Sequence, residues 1–198
     1  MIIAICGLKR SGKDTVANRI LQKSPDFVHT KISDPLKKVC QILFDFPDVE
    51  GPLKDHIDQK WEITPRQALQ FIGTEMMQYK LQEVLPNLGR CFWVKKLLMD
   101  LSSLPKTKGI VISDLRFKHE EAFIREFIEK DKDKKGQLGP FLVIKVTRSS
   151  CPDDDSHASE QEWKEIKEDF LIQNDGTLEE LYSQVDQIIE KQSVNSAN

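Results

Sequence analysis

An α/β fold is predicted for this 198-residue sequence, with about five parallel strands and helices packed on both faces of the sheet. Three observations predict it. Apolar β-branched runs alternate with stretches of helical spacing; the runs close on polar or charged residues; and the first run enters a helix through a glycine-rich loop.

Met1-Ile2-Ile3-Ala4-Ile5-Cys6 has the length and composition of a buried strand, and Val16, Ala17, Ile20 and Leu21 place a helix over Asp14 to Gln22. Phe27 to Ile32 alternates like a second strand and puts Asp34 at its end, before Leu36, Val39, Ile42 and Leu43 resume helical spacing. From Asp45 to Glu62 the chain is rich in Pro, Gly, Asp and Lys, which predicts an irregular, exposed excursion. Thr64 and Pro65 form a cap and first-turn pair for a helix whose core side carries Leu69, Ile72, Met76 and Met77. Asn87-Leu88-Gly89 ends that region, and Trp93 to Leu101 is a further amphipathic helix.

Gly109 to Asp114 is a third strand closing on a carboxylate, and Glu120 to Lys130 a helix followed by a charged loop over 131–139. Phe141 to Val146 is the clearest strand, long and branched, ending at Thr147-Arg148. Phe170-Leu171-Ile172 is a short fifth strand before the turn Asn174-Asp175-Gly176-Thr177, and Leu178, Leu181, Val185, Ile188 and Ile189 stripe the last helix. Strands joined by helices in this order make a parallel sheet, whose chemistry sits at the carboxyl ends of the strands.

Composition bounds the function. At 39% hydrophobic and 31% charged the chain is an ordinary globular protein with enough apolar residues for one core. The formal net charge of -3 gives no general electrostatic reason to bind nucleic acid or an anionic membrane, so charge for phosphate must be local. Cys6, Cys40, Cys91 and Cys151 form no Cys-x-x-Cys pair, which fits a reducing compartment. Met1 leads straight into the first strand and no run approaches a membrane span, so the cytoplasm is expected, the host's if the chain is viral. The four histidines, His29, His56, His119 and His157, have no metal-ligand spacing. Exposed apolar helix residues leave a homodimer open.

Gly7-Leu8-Lys9-Arg10-Ser11-Gly12-Lys13-Asp14-Thr15 has the spacing of a polyphosphate cradle. Gly7 and Gly12 let successive backbone N–H groups turn inward, and the following helix aims its positive end at the same point. Lys13 is the mobile charge for the β and γ phosphates, with Arg10, Ser11 and Thr15 beside it. Asp14 stands where a Ser or Thr usually holds Mg²⁺, so the metal falls to that carboxylate, through water, or to another acid. Asp114 is either that acid or a helix cap.

Around these lie further candidates. Lys37 and Arg116 follow the second and third strands, and Arg148 ends the fourth. Arg66 sits in the first turn of its helix, where the dipole offers a cation nothing; an anion gripped bidentately explains it better. Gln70 and Glu75 suit a base or sugar edge, or are surface residues. Trp93 either stacks on a base or anchors the core. The acidic run Asp153-Asp154-Asp155 is best read as solvated.

The loop Gly7 to Thr15, Ser33-Asp34-Pro35-Leu36-Lys37, the block Thr64 to Glu75 and Ser113-Asp114-Leu115-Arg116-Phe117 resemble the deoxynucleoside monophosphate kinases of large DNA viruses and phages. The similarity covers most of the chain in the same order, is strongest up to about residue 120, and is looser over 148–162, including His157-Ala158-Ser159-Glu160. It implies a phosphate-loop NTPase fold in a single domain over 1–198, with an acceptor-binding insertion over about 36–105 and a lid over about 148–168. It implies ATP and Mg²⁺, transfer of the γ-phosphoryl group to a deoxynucleoside 5'-monophosphate, and two small-molecule substrates as partners. Lys13, Arg116 and Arg148 then serve catalysis; Asp34, Lys37, Arg66, Gln70, Glu75, Trp93 and Asp114 the acceptor; and Asp14 and Asp114 the metal. Asn174 and Gly176 resemble the loop that passes over adenine. The lid departs from adenylate kinase, since no arginine lies between Ser149 and Glu168. A small-molecule kinase resembling animal phosphomevalonate kinase is the alternative. A GTPase-like switch is disfavoured because no Asn-Lys-x-Asp segment is present.

Overall fold

The computed structural model describes residues 1–102, 109–132, 139–151 and 157–195; the acidic run at 153–155 lies outside them. The chain forms two compact units, Met1–Lys31 with Ser102–Asn198, and Ile32–Leu101.

In the first unit, β1 (Ile2–Cys6), β2 (Phe27–Thr30), β3 (Gly109–Ile112), β4 (Phe141–Thr147) and β5 (Phe170–Gln173) form one sheet in the order β2-β3-β1-β4-β5. Every pairing is parallel. The central strand β1 is buried at all positions, as a parallel sheet covered on both faces requires. Its alternate residues sort to two layers. Ile3 and Ile5, with Val111, Ile144, Val146 and Ile172 in register, meet Val16, Ala17 and Ile20 of α1 (Lys13–Lys23) and Leu181, Val185 and Ile188 of α8 (Leu178–Asn195). Phe141 has the opposite parity, and its ring carries the Arg125 guanidinium at 5.0 Å, which sets α6 (Lys118–Lys132) on the other face. Arg19 of α1 and Asp186 of α8 pair through two hydrogen bonds of 2.8 and 2.6 Å, which fixes the two helices side by side.

The second unit is helical. It holds α2 (Asp34–Phe44), a 3₁₀ turn Pro52–Asp55, α3 (Pro65–Gln70), α4 (Leu81–Val84), a 3₁₀ segment Pro86–Cys91 and α5 (Phe92–Ser102). Thr64 caps α3 in a complete capping box: its hydroxyl accepts from Gln67 N at 3.1 Å, and the Gln67 side chain accepts from Thr64 N at 2.8 Å. The helix then widens into a π-helical stretch, Phe71–Lys80.

That widening corrects the expected face. Bonding from i to i+5 shifts the phase, so Ile72, Gly73, Thr74 and Gln78 are buried while Met76 is exposed. Two strand ends also move. β2 stops at Thr30, so Asp34 is the first residue of α2 rather than the end of a strand, and β3 stops at Ile112, two residues before Asp114. The excursion after Phe44 is irregular as expected, yet it is pinned. Phe46 and Val49 are buried, Phe44 stacks on Phe46 at 5.0 Å, and the Trp61 indole donates to Phe44 O at 2.7 Å.

Among the described residues, no helix is long and apolar enough to cross a membrane.

Candidate active site

The site grows from the carboxyl end of β1. There the backbone reverses through Gly7 at φ 143°, Arg10 at φ 66° and Gly12 at φ 104°, conformations in which a side chain is strained. Space enforces the same choice: a Cβ at Gly7 would lie 2.2 Å from Val146 O, and one at Gly12 2.4 Å from Asn174 Nδ2. Asn174 buttresses the loop, its side-chain amide donating to Ser11 O at 2.8 Å. Helix α1 begins with Val16 N on Gly12 O at 3.0 Å, which leaves the amides just before it without helical partners at the positive end of the dipole. Ser11 is fully buried, and its hydroxyl has no hydrogen-bond partner among the described residues. An orphaned buried hydroxyl is costly unless something supplies the missing oxygen.

A cavity of about 420 Å³ opens on this loop, lined among others by Arg10, Lys13, Thr15, Arg148, Asn174 and Gly176. A second cavity of about 400 Å³, among Ile20, Phe27, Val185 and Ile188, has no charged side chain on its wall. Only the first has the chemistry for a polyanion.

Lys13 currently folds onto the loop itself, donating to Gly7 O at 2.9 Å and Leu8 O at 2.6 Å. Burial, and next the Arg116 guanidinium, push its pKa down to about 8. Glu160, Asp14 and Asp114 act on Lys13 in the opposite direction. Arg116 is held from the other side: its Nη1 donates to Glu160 and to Ser159 O at 3.4 Å. Glu120, at the third position of α6, accepts from the backbone N–H groups of Arg116 and Phe117, both at 3.1 Å. Burial pushes the Glu120 carboxyl up to about 8.

Asp14 projects outward with its side chain 70% exposed, paired with Lys31 at 3.4 Å. It also accepts from the Ser113 hydroxyl at 3.4 Å, and that hydroxyl meets His29 Nε2 at 2.8 Å. Asp114 is buried at 8% exposure. Among the described residues no three His, Cys, Asp or Glu side chains gather into a metal cluster. The donor set nevertheless suits Mg²⁺, which typically takes one or two carboxylates and completes its shell with water and substrate phosphate. Asp14 and the Ser113 hydroxyl offer hard oxygens of that kind.

The acceptor candidates of the helical unit are also engaged. Arg66 grips an anion bidentately, as its position predicts, but the anion is the carboxylate of Asp55: Nε on Oδ1, and Nη2 on Oδ2 at 3.3 Å. Lys37 pairs with Asp34 at 3.1 Å and Glu50 at 2.5 Å. Gln70 is half-buried at the end of α3, and Glu75 is exposed on the π-helical stretch. Trp93 is a core anchor and offers no face to a base: it is 6% exposed, donates to Gly73 O at 3.0 Å and meets Phe92 edge-on. His157 caps its short helix, its Nδ1 accepting from Ser159 N at 3.2 Å.

Several residues escaped the sequence reading: Lys31 and His29 around Asp14, Asp55 facing Arg66, and the two acids on Arg116. Glu120 had a detectable signal, since an acid at the third helical position commonly reaches back to the preceding amides. Glu160 and Asp55 had none.

The model of the deoxynucleotide monophosphate kinase family matches residues 49–185. A protein of Acanthamoeba polyphaga mimivirus, assigned by name to the deoxynucleotide monophosphate kinases, is 34% identical over 194 residues, 93% of this chain and 94% of its own length. The deoxynucleotide monophosphate kinases of Escherichia phage RB69 and Enterobacteria phage T4 are each 28% identical, over 68% and 66% of this chain. The chain spans about half the length of these phage proteins, 48% and 46%. A solved thymidylate kinase from Candida albicans is similar over 97% of this chain and 92% of its own, at 16% identity and a TM-score of 0.48. A matching family model and a relative similar along nearly its whole length, on a chain whose five-stranded parallel sheet carries the glycine-rich loop, make it a member of the deoxynucleotide monophosphate kinase family, and so a phosphotransferase.

Proposed function

We propose that the chain transfers the γ-phosphoryl group of ATP to the 5'-phosphate of a deoxynucleoside monophosphate, in a single kinase domain over 1–198 that carries its acceptor-binding insertion over about 36–105 and its lid over about 148–168. One observation carries the reading most directly. The cavity at the loop is lined by the cations Lys13, Arg10 and Arg148, and the same loop carries helix-start amides without helical partners and the unpaired buried hydroxyl of Ser11. Oxygen-rich, multiply charged ligands answer all three needs.

Phosphoryl transfer asks little covalent chemistry of the protein; it asks for alignment and for cations near the moving charge. Lys13 leaves its loop carbonyls for the β and γ oxygens, and Ser11 and Thr15 donate their hydroxyls to the phosphate chain. Arg116 and Arg148 spread the charge that develops on the transferred group. Arg66 and Lys37 exchange Asp55 and Glu50 for the acceptor's phosphate, while Gln70 and Glu75 supply polar atoms to its sugar or base. Mg²⁺, when bound with the nucleotide, neutralises phosphate charge, and Asp14, Ser113 and Asp114 are the residues that would hold it. The proposed setting is the cytoplasm. The proposed assembly is a homodimer, supported by Ile42 and Leu43 of α2, 77% and 56% exposed.

A coupled ADP-release assay over dAMP, dGMP, dCMP and dTMP tests the reaction. Turnover of at least one monophosphate, abolished in Lys13→Ala with the melting temperature kept, is the expected result. A folded wild-type protein that turns over none of the four refutes it.

A further inference from the structure

Arg116 is held at two points by two buried acids, and the two holds differ in kind. Glu120, 4% exposed, takes the backbone amide of Arg116 at 3.1 Å and closes the first turn of α6 around it. Leu115 N donates to Ile5 O at 3.1 Å, so the residue before Arg116 is also tied to the central strand. The main chain at Arg116 is therefore fixed by both the sheet and the helix. What remains free is the direction of the guanidinium.

Glu160 removes that freedom. It belongs to α7 (Ala158–Gln161), in the segment joining β4 and β5, 44 residues further along the chain. Its carboxylate, 6% exposed, accepts from Nη1 of Arg116, and Ser159 O accepts from the same nitrogen at 3.4 Å. The short helix is itself anchored, because Glu160 N donates to His157 O at 2.8 Å and the Trp163 indole to Glu160 O at 3.0 Å. Both acceptors take one corner of a planar five-donor group. Among the described residues no partner is recorded for Nε or Nη2, and the Arg116 side chain keeps 36% of its surface exposed. A guanidinium tied at one corner and open along the opposite edge is oriented without being used up.

We infer that Glu160 is a positioning residue: it aims the open edge of Arg116 at the transferring phosphate, so the segment between β4 and β5 acts on the reaction through an acid on the arginine that follows β3 rather than by contributing arginines of its own. This rests on the kinase reading above and deepens it. The sequence of the segment is consistent, since it has no arginine between Ser149 and Glu168. A side chain recruited only to balance charge would be satisfied at the surface. This one is buried, and removing a buried partner leaves a misdirected cation rather than a merely weaker pair.

The test is a double-mutant cycle on the full chain, reading kcat, KM for both substrates, the nucleotide Kd and the melting temperature. Glu160→Gln keeps the shape and loses the charge. It is expected to lower kcat by roughly tenfold to a hundredfold, the cost of a catalytic group displaced by a fraction of an ångström to an ångström, with the nucleotide Kd within about twofold. In an Arg116→Ala background the same change is expected to cost no further rate, because the group it positions is gone. Glu160→Asp retains the charge on a shorter arm and should fall between wild type and Gln; it carries the cycle if the Gln variant does not fold. Additive losses, or an unchanged kcat in a folded Glu160→Gln, overturn the role given to Glu160 and leave the kinase reading standing. Wild-type protein that phosphorylates no deoxynucleoside monophosphate overturns both.

Discussion

Lys13 offers a quantitative test of the phosphate cradle through pH. Its ammonium is buried near Arg116, and its pKa falls to about 8 from an ordinary 10.5. The sign follows from which form the ligand needs. A polyphosphate binds the charged ammonium, so binding restores the proton, and affinity falls as pH rises through the unliganded pKa. With a pKa of about 8, roughly three quarters of the unliganded protein carries that proton at pH 7.5 and about one tenth at pH 9. Triphosphate affinity should then weaken about eightfold over this interval, ~1.2 kcal/mol. At pH 8 each binding event should take up about half a proton. Titration calorimetry in buffers of different ionisation enthalpy reads both quantities, and a non-hydrolysable ATP analogue keeps chemistry out. Lys13→Arg, charged throughout, should bind without the slope. Equal affinity at both pH values in wild type, or the same slope in Lys13→Arg, refutes the account of Lys13 as the buried partner of the phosphates.

Two further outcomes follow from the geometry. Gly12→Ala forces a Cβ to within 2.4 Å of the Asn174 amide at a φ of 104°, so it should lower stability by about 1–3 kcal/mol and abolish nucleotide binding, read by thermal melts with and without ATP analogue. Glu120 has a carboxyl raised to about 8 from 4.5, first by burial and also by the nearby Asp114 charge; between those values the folded chain holds the extra proton, so wild type loses stability as pH rises from about 5 to 8. Glu120→Gln should remove up to about 5 kcal/mol of that slope in urea unfolding, and equal slopes in the two proteins would rule the burial argument out.

The parts of the fold legible in the sequence are those whose cause is local. Ile2 to Cys6, Phe141 to Val146 and the stripe from Leu178 onward declare themselves by composition and period, and Thr64 with Pro65 marks the start of a helix. The loop was legible for the same reason, since Gly7 and Gly12 are demanded by the backbone at those very positions. The π-helical stretch was not, because nothing in Phe71 to Lys80 announces a change of hydrogen-bond register; the buried side shows only once neighbours are packed on it. Likewise a cation can be recognised from its helical position, but its carboxylate cannot. Asp55 and Glu160 stand 11 and 44 residues from their arginines, distances bridged only by the folded chain.

Lys13 does not wait idle: two carbonyl oxygens of its own loop already occupy it at 2.9 and 2.6 Å. Any newcomer must therefore displace two internal acceptors, and a ligand that meets Lys13 alone gains only the difference between its own oxygens and those carbonyls. On the proposed reading a triphosphate would engage the loop amides and the Ser11 hydroxyl in the same event, so its gain would come from several contacts at once. On that reading the two carbonyl contacts would set an entry threshold, favouring ligands by the number of anionic oxygens they present together.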